Sequence, residues 1–185
     1  MVRAWPLDYM HLVCLGVMRK LLFLLMADMD EESQNEYDRR MKIFTRRCPS
    51  EFQRKGGPLS LLGRWKATEY RLFMLYTGPF VFKGIISDAS YNHFLQLHFA
   101  MSILLSLSLD GQQVDFARSL LRDFVQTFGV LYGIEQFIYN GHSLIHLPDD
   151  CDYFEVVDAI IASYLKKVTL QYISNNAALL EIFQV

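Results

Sequence analysis

The sequence has few cysteines and no excess of charge of either sign. Its three cysteines, Cys14, Cys48 and Cys151, are an odd number at wide spacing in a chain of 185 residues, which favours reduced thiols over a disulfide framework. The formal charge of -2 at pH 7 gives no overall basic field, so long-range attraction favours neither nucleic acid nor an anionic membrane. Any contact with nucleic acid must then be local. We expect an intracellular protein, nuclear or cytoplasmic.

No apolar run is long and uncharged enough to predict a membrane span. The most apolar stretch, residues 12–26, is interrupted by Arg19 and Lys20 and falls short of the roughly 18 uncharged residues that a span needs. Its apolar residues populate more than one face of a helix, which is typical of a buried, central helix. An amphipathic membrane anchor is the alternative; we expect no membrane partner.

The short motifs of common enzyme classes are also missing. The sequence contains no glycine-rich phosphate loop, no C-x-x-C pair, no H-E-x-x-H and no G-x-S-x-G. Most soluble enzyme classes therefore receive no support from the sequence.

What the sequence does contain is helical periodicity, with no alternating run that predicts a sheet. The clearest amphipathic helix covers residues 117–128, after a turn at Asp110 and Gly111. A charged surface helix is predicted for residues 31–47, and a long helix is predicted to begin after Ser87 or Asp88, both good N-caps. One mainly α-helical domain is the expected fold.

Glycine and proline mark the breaks between these helices. Their density between Cys48 and Gly63 predicts an exposed loop. A helix is predicted from about Trp65 to Gly78, where Pro79 stops it. Two further helices are predicted near the end of the chain, at about residues 156–173 and 176–183.

Asp8 and His11 are the first candidate site residues. They lie at i and i+3 in the tetrapeptide D-Y-M-H, and so share one face if this segment is helical. A carboxylate suits a hard cation such as Mg²⁺, and a nearby imidazole can orient a water or a phosphate. The alternative is that Asp8, near a helix start, is a cap or a partner of the helix dipole.

The other histidines and the acidic run have structural alternatives as well. His142 and His146 lie four residues apart, which suits half of a zinc site, but no cysteine pair supplies the other half and structural histidines are favoured. His93 and His98, five apart, are interpreted as ordinary helix residues. The acidic residues between 149 and 158 suit a divalent ion or, more simply, the surface around a helix N-terminus.

The segment R-W-K-A-T-E-Y-R at residues 64–71 combines cations with aromatics. Arg64, Trp65 and Lys66 are candidate DNA-binding residues, because an aromatic ring can stack on a base while cations hold phosphate. The alternative places Trp65 and Tyr70 in the core beside a solvated charged edge.

Seven segments follow one another in an order that is more specific than any one of them. They are residues 6–17 (PLDYMHLVCLGV), 49–52 (PSEF), 64–71 (RWKATEYR), 75–79 (LYTGP), 83–85 (KGI), 91–94 (YNHF) and 139–147 (YNGHSLIHL). This set resembles the transposase-like proteins of animal genomes that are related to the CACTA (En/Spm) group of cut-and-paste DNA transposons. The resemblance extends over nearly the whole chain.

The resemblance implies an RNase H-like catalytic core in which three acids bind two divalent metal ions, Mg²⁺ in the ancestral family. A helical insertion separates the second acid from the third. In this chain the D-x-x-H element assigns the second acid to Asp8, with His11 beside it. The H-x-x-x-H element, here His142 and His146, is a further family signature.

The same resemblance divides the chain into three parts. Residues 1–11 correspond to a remnant of the nuclease core, about 12–140 to the helical insertion, and about 141–185 to the C-terminal edge of the core. The fold implied is a mainly α, multi-helix domain resembling the helical insertion, with the strands of the core largely missing.

Two departures from the family pattern bear on activity. The first acid lies upstream of D-x-x-H in the family, yet the seven residues before Asp8 contain no acid. The third acid is expected in a segment like P-F-E-N-Y-L, and the corresponding I-I-A-S-Y-L at residues 160–165 has Ala162 in its place. A two-metal site depends on shared carboxylates to offset ion dehydration, so it should not form.

We therefore expect a catalytically inactive, transposon-derived remnant without a cofactor, retained as a module that binds DNA or transposase-like proteins. The alternative is a metal-dependent nuclease or strand-transfer domain whose site is completed by another chain or by upstream sequence. A third hypothesis is a helical interaction module that self-associates through exposed apolar surface.

Overall fold

A computed structural model describes residues 9–48, 52, 54–106, 109–136 and 143–145. Within these ranges the protein is mainly helical and contains no strand, which confirms the mainly α-helical class; the resemblance to the insertion of an RNase H-like core stays a prediction. The six α-helices are α1 (Arg19–Asp28), α2 (Glu31–Arg47), α3 (Ala67–Leu72), α4 (Gly78–Val81), α5 (Asp88–Leu104) and α6 (Gly111–Tyr132). The predicted helices at about 156–173 and 176–183 lie outside the described residues, and the three-part division of the chain stays a prediction.

The first helical segment is the centre of the fold. A π-helix, Met10–Met18, continues into α1 without a break, and its side chains at Leu12, Val13 and Val17 are buried. This confirms the buried helix predicted for residues 12–26. Helix Met10–Asp28 is long and apolar enough to cross a membrane, but half of it is buried inside the fold, and a core helix has the same composition.

Helix α2 is a surface helix, as its sequence predicts. Its N-cap is Asp30, whose carboxylate accepts a hydrogen bond from Ser33 N at 2.8 Å. Only a narrow stripe faces the core: Tyr37 and Met41 are buried, and Phe44 is partly buried. The remaining surface of the helix is charged.

The predicted exposed loop between Cys48 and Gly63 is wrong in its second half. Leu59–Arg64 forms a 3₁₀ helix, and Phe52, Leu59 and Leu62 are buried. The breakers end the preceding helix but do not keep the segment in solvent, because its apolar residues pack onto the core.

Pro79 does not stop the helix that precedes it. Helix α3 passes through a π-helical turn, Phe73–Thr77, into the single turn of α4, where Pro79 is the second residue. Proline is tolerated in the first turn of a helix because its missing N–H would have no partner there. The π-helical turn resets the register so that Pro79 occupies such a position.

Helices α5 and α6 form an antiparallel pair with well-defined caps. Ser87 caps α5 by accepting from Ser90 N at 3.2 Å. Asp110 caps α6 by accepting from Gln113 N at 2.7 Å, and the Gln113 side chain accepts from Asp110 N. Gly133 ends α6 with a φ of 90°, a backbone conformation that glycine adopts without strain.

An aromatic cluster joins the helices at the core. Phe73 lies at its centre, with ring centroids 5.1 Å from Phe82, 6.2 Å from Phe94 and 5.8 Å from Trp65. Tyr37 brings α2 into the cluster, 5.9 Å from Phe73. Such tilted and edge-on pairs add about 0.5–1.5 kcal/mol each beyond burial, so this cluster helps to hold α2 and α5 against the π-helical turn that contains Phe73.

Candidate functional site

His11 is the described member of the D-x-x-H pair. It is exposed in the first turn of the π-helix, while the residues that follow it, Leu12 and Val13, are buried. Asp8 lies outside the described residues. The imidazole is therefore accessible at the point where the D-x-x-H element leads into the central helix.

Tyr9 links the D-x-x-H element to the segment of residues 64–71. The guanidinium carbon of Arg71 lies 5.8 Å from the centre of the Tyr9 ring, and both side chains are buried. A cation over an aromatic face in a buried position is worth about 2 kcal/mol. The buried cation thus has a structural role in joining these two segments.

Trp65 lies in the core, and Arg64 and Lys66 on either side of it are exposed. The Trp65 ring is 5.5 Å from that of Tyr70, and the Tyr70 hydroxyl donates to Leu62 O at 2.8 Å. This is the core-facing alternative of the sequence analysis. Trp65 is not placed to stack on a base, whereas DNA contacts of Arg64 and Lys66 stay a prediction.

His93 and His98 are more than ordinary helix residues. His93 Nε2 donates to Phe124 O at 3.0 Å, and its ring stacks on the Phe124 ring at 4.2 Å. Burial lowers the pKa of His93 to about 4, against the opposing effect of that hydrogen bond. His98 Nδ1 donates to Met74 O at 2.9 Å, and burial lowers its pKa as well. Both are neutral structural residues.

The H-x-x-x-H element is described only between its histidines. Leu144 is fully buried in the core cluster, which ties this element to the helical unit. His142, His146 and Ala162 lie outside the described residues, as does the acidic stretch 149–158. Their predicted roles stay predictions.

The donor atoms assigned by the resemblance do not fit a two-metal centre. Asp8 and His11 supply one carboxylate and one imidazole, and Ala162 supplies no donor. Mg²⁺ and similar hard cations need several oxygen ligands. Within the described part of the chain no group of three or more His, Cys, Asp or Glu side chains could hold a metal ion.

The motifs in the sequence do not include a set of cations in the C-terminal half of α2. Lys42, Arg46 and Arg47 are exposed there, as are Arg64 and Lys66 in the segment that packs on this helix. The overall charge hides them, but a comparison of charge along successive windows of the sequence would have found them.

Comparison with models of known protein families, with characterised proteins and with solved structures finds no match.

Proposed function

We propose that this chain is a non-catalytic helical binding module, descended from the helical insertion of a CACTA-like transposase, that acts by binding DNA or a transposase-like protein. The observation that carries the proposal is that segments of the ordered motif set contact one another in the folded chain. A set of unrelated local matches has no reason to pack together.

Three pairs of segments meet in this way. Tyr9 of the first segment contacts Arg71 of the third. Phe52 of the second segment lies with its ring 6.4 Å from Tyr76 of the fourth. The hydroxyl of Tyr91 in the sixth segment donates to Pro79 O of the fourth at 2.7 Å.

The motif segments thus contribute residues to the contacts between the helices of one unit. Several of their described residues, such as Tyr9, Trp65 and Leu75, are buried and hold helices together, which is a structural role that survives the loss of catalytic acids. This supports ancestry in a helical insertion together with a function in binding, since the donor set for two metal ions is incomplete.

Metal binding tests the proposal. Isothermal titration of the full chain with Mg²⁺ and with Mn²⁺ should give the same weak response for the wild-type protein and for Asp8→Ala. Asp123→Ala, an exposed acid on α6, is the matched control for removing one negative charge. Tight binding that Asp8→Ala abolishes and Asp123→Ala retains would overturn the proposal.

The second candidate is a metal-dependent nuclease or strand-transfer domain completed by another chain or by upstream sequence. The exposure of His11 at the start of the π-helix favours this second candidate. A metal site that is completed by ligands from another chain must be open to solvent. The same titration separates the two candidates, since this one requires Asp8-dependent metal affinity.

A further inference from the structure

Charge is strongly segregated along this chain. Residues 39–66 contain nine of the 18 Lys and Arg residues and one of the 20 Asp and Glu residues, Glu51. The remainder of the chain therefore carries nine cations and 19 acids. The formal charge of -2 is therefore the sum of one basic segment, residues 39–66, and an acidic remainder.

Three of the nine cations form ion pairs or hydrogen bonds within the fold. Arg39 and Arg40 both bind Glu36, at 2.6 and 2.7 Å, and the hydrogen bond from Arg39 is the main cause that lowers the pKa of Glu36 to about 2. Arg40 also donates to the carbonyl oxygen of Lys83 at 2.7 Å. Lys55 donates to Cys48 O at 2.7 Å.

The other six cations are exposed, and none forms an ion pair with another described residue. They are Lys42, Arg46, Arg47, Arg54, Arg64 and Lys66. Two described acids flank them along the sequence, and both carboxylates accept backbone hydrogen bonds: Asp38 from Leu59 N at 3.0 Å and Glu69 from Lys66 N at 2.8 Å. Among the described residues, neither carboxylate forms an ion pair with any of the six cations.

The two stretches that carry most of these cations pack against each other. Helix α2 and the following segment are joined by the Asp38 contact and by the Thr45 hydroxyl, which donates to Gly56 O at 3.4 Å. Gly56 lies between α2 and Trp65: a Cβ added there would be 3.0 Å from Met41 Cε and 3.3 Å from Trp65 Cη2. The helix that carries Lys42, Arg46 and Arg47 is thereby packed against the segment that carries Arg64 and Lys66.

We propose that this surface, the basic face, binds the phosphate backbone of double-stranded DNA without reading its bases. The six cations match a polyanion, and exchange of condensed counterions for protein charges drives such binding. Single-stranded nucleic acid is bound largely by stacking on exposed aromatic rings. Within the described residues of the basic face, Trp65 and Phe52 are buried and Phe44 is partly buried, so duplex DNA is the better partner.

This inference rests on the proposed binding function and names its partner and surface. The test measures binding of the full chain to two fluorescent DNA duplexes of unrelated sequence by anisotropy, over a series of salt concentrations. We expect equal affinity for the two duplexes and a steep loss of affinity with salt. Lys42→Gln/Arg46→Gln should lower the slope of log K against log salt by about 2 and weaken binding about 8-fold per lost contact at about 0.1 M salt.

The matched control is Lys83→Gln/Arg122→Gln, which removes two exposed cations outside the basic face. It should bind as the wild-type protein does. Circular dichroism of both variants checks that they are folded, and Arg64→Gln/Lys66→Gln tests the other half of the surface independently.

Three outcomes would overturn the inference. They are no affinity for duplex DNA at low salt, an equal loss of affinity in Lys42→Gln/Arg46→Gln and in the control Lys83→Gln/Arg122→Gln, and tighter binding of single-stranded DNA or of polyglutamate than of the duplex. None of them contradicts the proposed function, which would still allow a transposase-like protein as partner. That proposal fails instead on Asp8-dependent metal binding, so the two failures are distinguishable.

Discussion

Gly78 occupies a position in the core where a side chain has no room. Its N–H donates to Phe73 O in the π-helical turn, and a Cβ would lie 2.5 Å from Phe94 Cζ and 2.8 Å from Phe73 O. The second of these is a backbone atom that cannot rotate away. A glycine in the fourth motif segment is thereby explained by packing.

Gly78→Ala should therefore destabilise the protein by about 1–3 kcal/mol through overpacking. The higher helix propensity of alanine offsets only about 0.5–1 kcal/mol of this. Thermal or urea unfolding measures the change. Gly111→Ala is the control, because nothing lies within 4 Å of its added Cβ; an equal loss of stability in both variants would contradict the packing argument.

His93 should make stability depend on pH. Its pKa is lowered from 6.5 to about 4 in the folded protein, so the unfolded chain binds more protons between these values. The stabilising contribution is complete above pH 6.5 and is lost as the pH falls toward 4, by about 1.4 kcal/mol for each pH unit.

Unfolding free energies of the wild-type protein and His93→Gln across this range measure the effect. The variant should be less stable at neutral pH, because it loses the ring stacked on Phe124, but its stability should decline less steeply below pH 6.5. The same slope in both proteins would show that His93 is not the titrating group.

Helix α6 begins with two reciprocal capping hydrogen bonds. Asp110 and Gln113 bind each other's backbone N–H groups, and such caps supply partners for donors that the helix cannot satisfy. Asp110→Ala should lower stability by about 1 kcal/mol.

Urea unfolding of Asp110→Ala against Asp123→Ala separates capping from charge, because Asp123 lies exposed in the middle of the same helix. The control should change stability by less than about 0.5 kcal/mol. Hydrogen exchange should also rise at the first amides of α6 in the cap variant alone. If Asp110→Ala is as stable as the wild-type protein, packing against α5, and not the cap, defines where α6 begins.

The helices themselves could be predicted because their signals are local. The caps at Ser87 and Asp110, the stripe on α2 and the glycine at 133 depend on residues within one or two turns. The structured half of the 48–63 segment and the passage through Pro79 could not be predicted, since they depend on contacts with distant elements and on a π-helical register change.

The candidate site was predictable only in part for the same reason. The core position of Trp65 was one of two interpretations of a short segment, and only the packing of Trp65 against Phe73 and Gly56 in the folded chain separates them. The burial of His93 depends on α6, about 31 residues farther along the chain. The basic face could not be predicted from the net charge, because a net charge contains no information on where the charged residues lie.

The predicted self-association concerns the whole molecule and stays a prediction. Large exposed apolar side chains in the described part of the chain are Leu61, Phe99, Phe116 and Val130. Phe116 and Val130 lie about 21 Å apart along α6, given a rise of 1.5 Å per residue. Polar residues, Asp123 among them, lie between these two side chains.

Helix α2 carries acids in its first turn and cations in its last turn, and the resulting electric dipole has consequences before any contact forms. Near a polyanion the field pulls on the basic end of the helix and repels its acidic end, which exerts a torque on the molecule as it diffuses. Encounters then begin in a preferred orientation and occur faster than net charge would allow, until salt shortens the range of the field to about 8 Å. A protein of net negative charge can in this way be steered toward a negatively charged polymer.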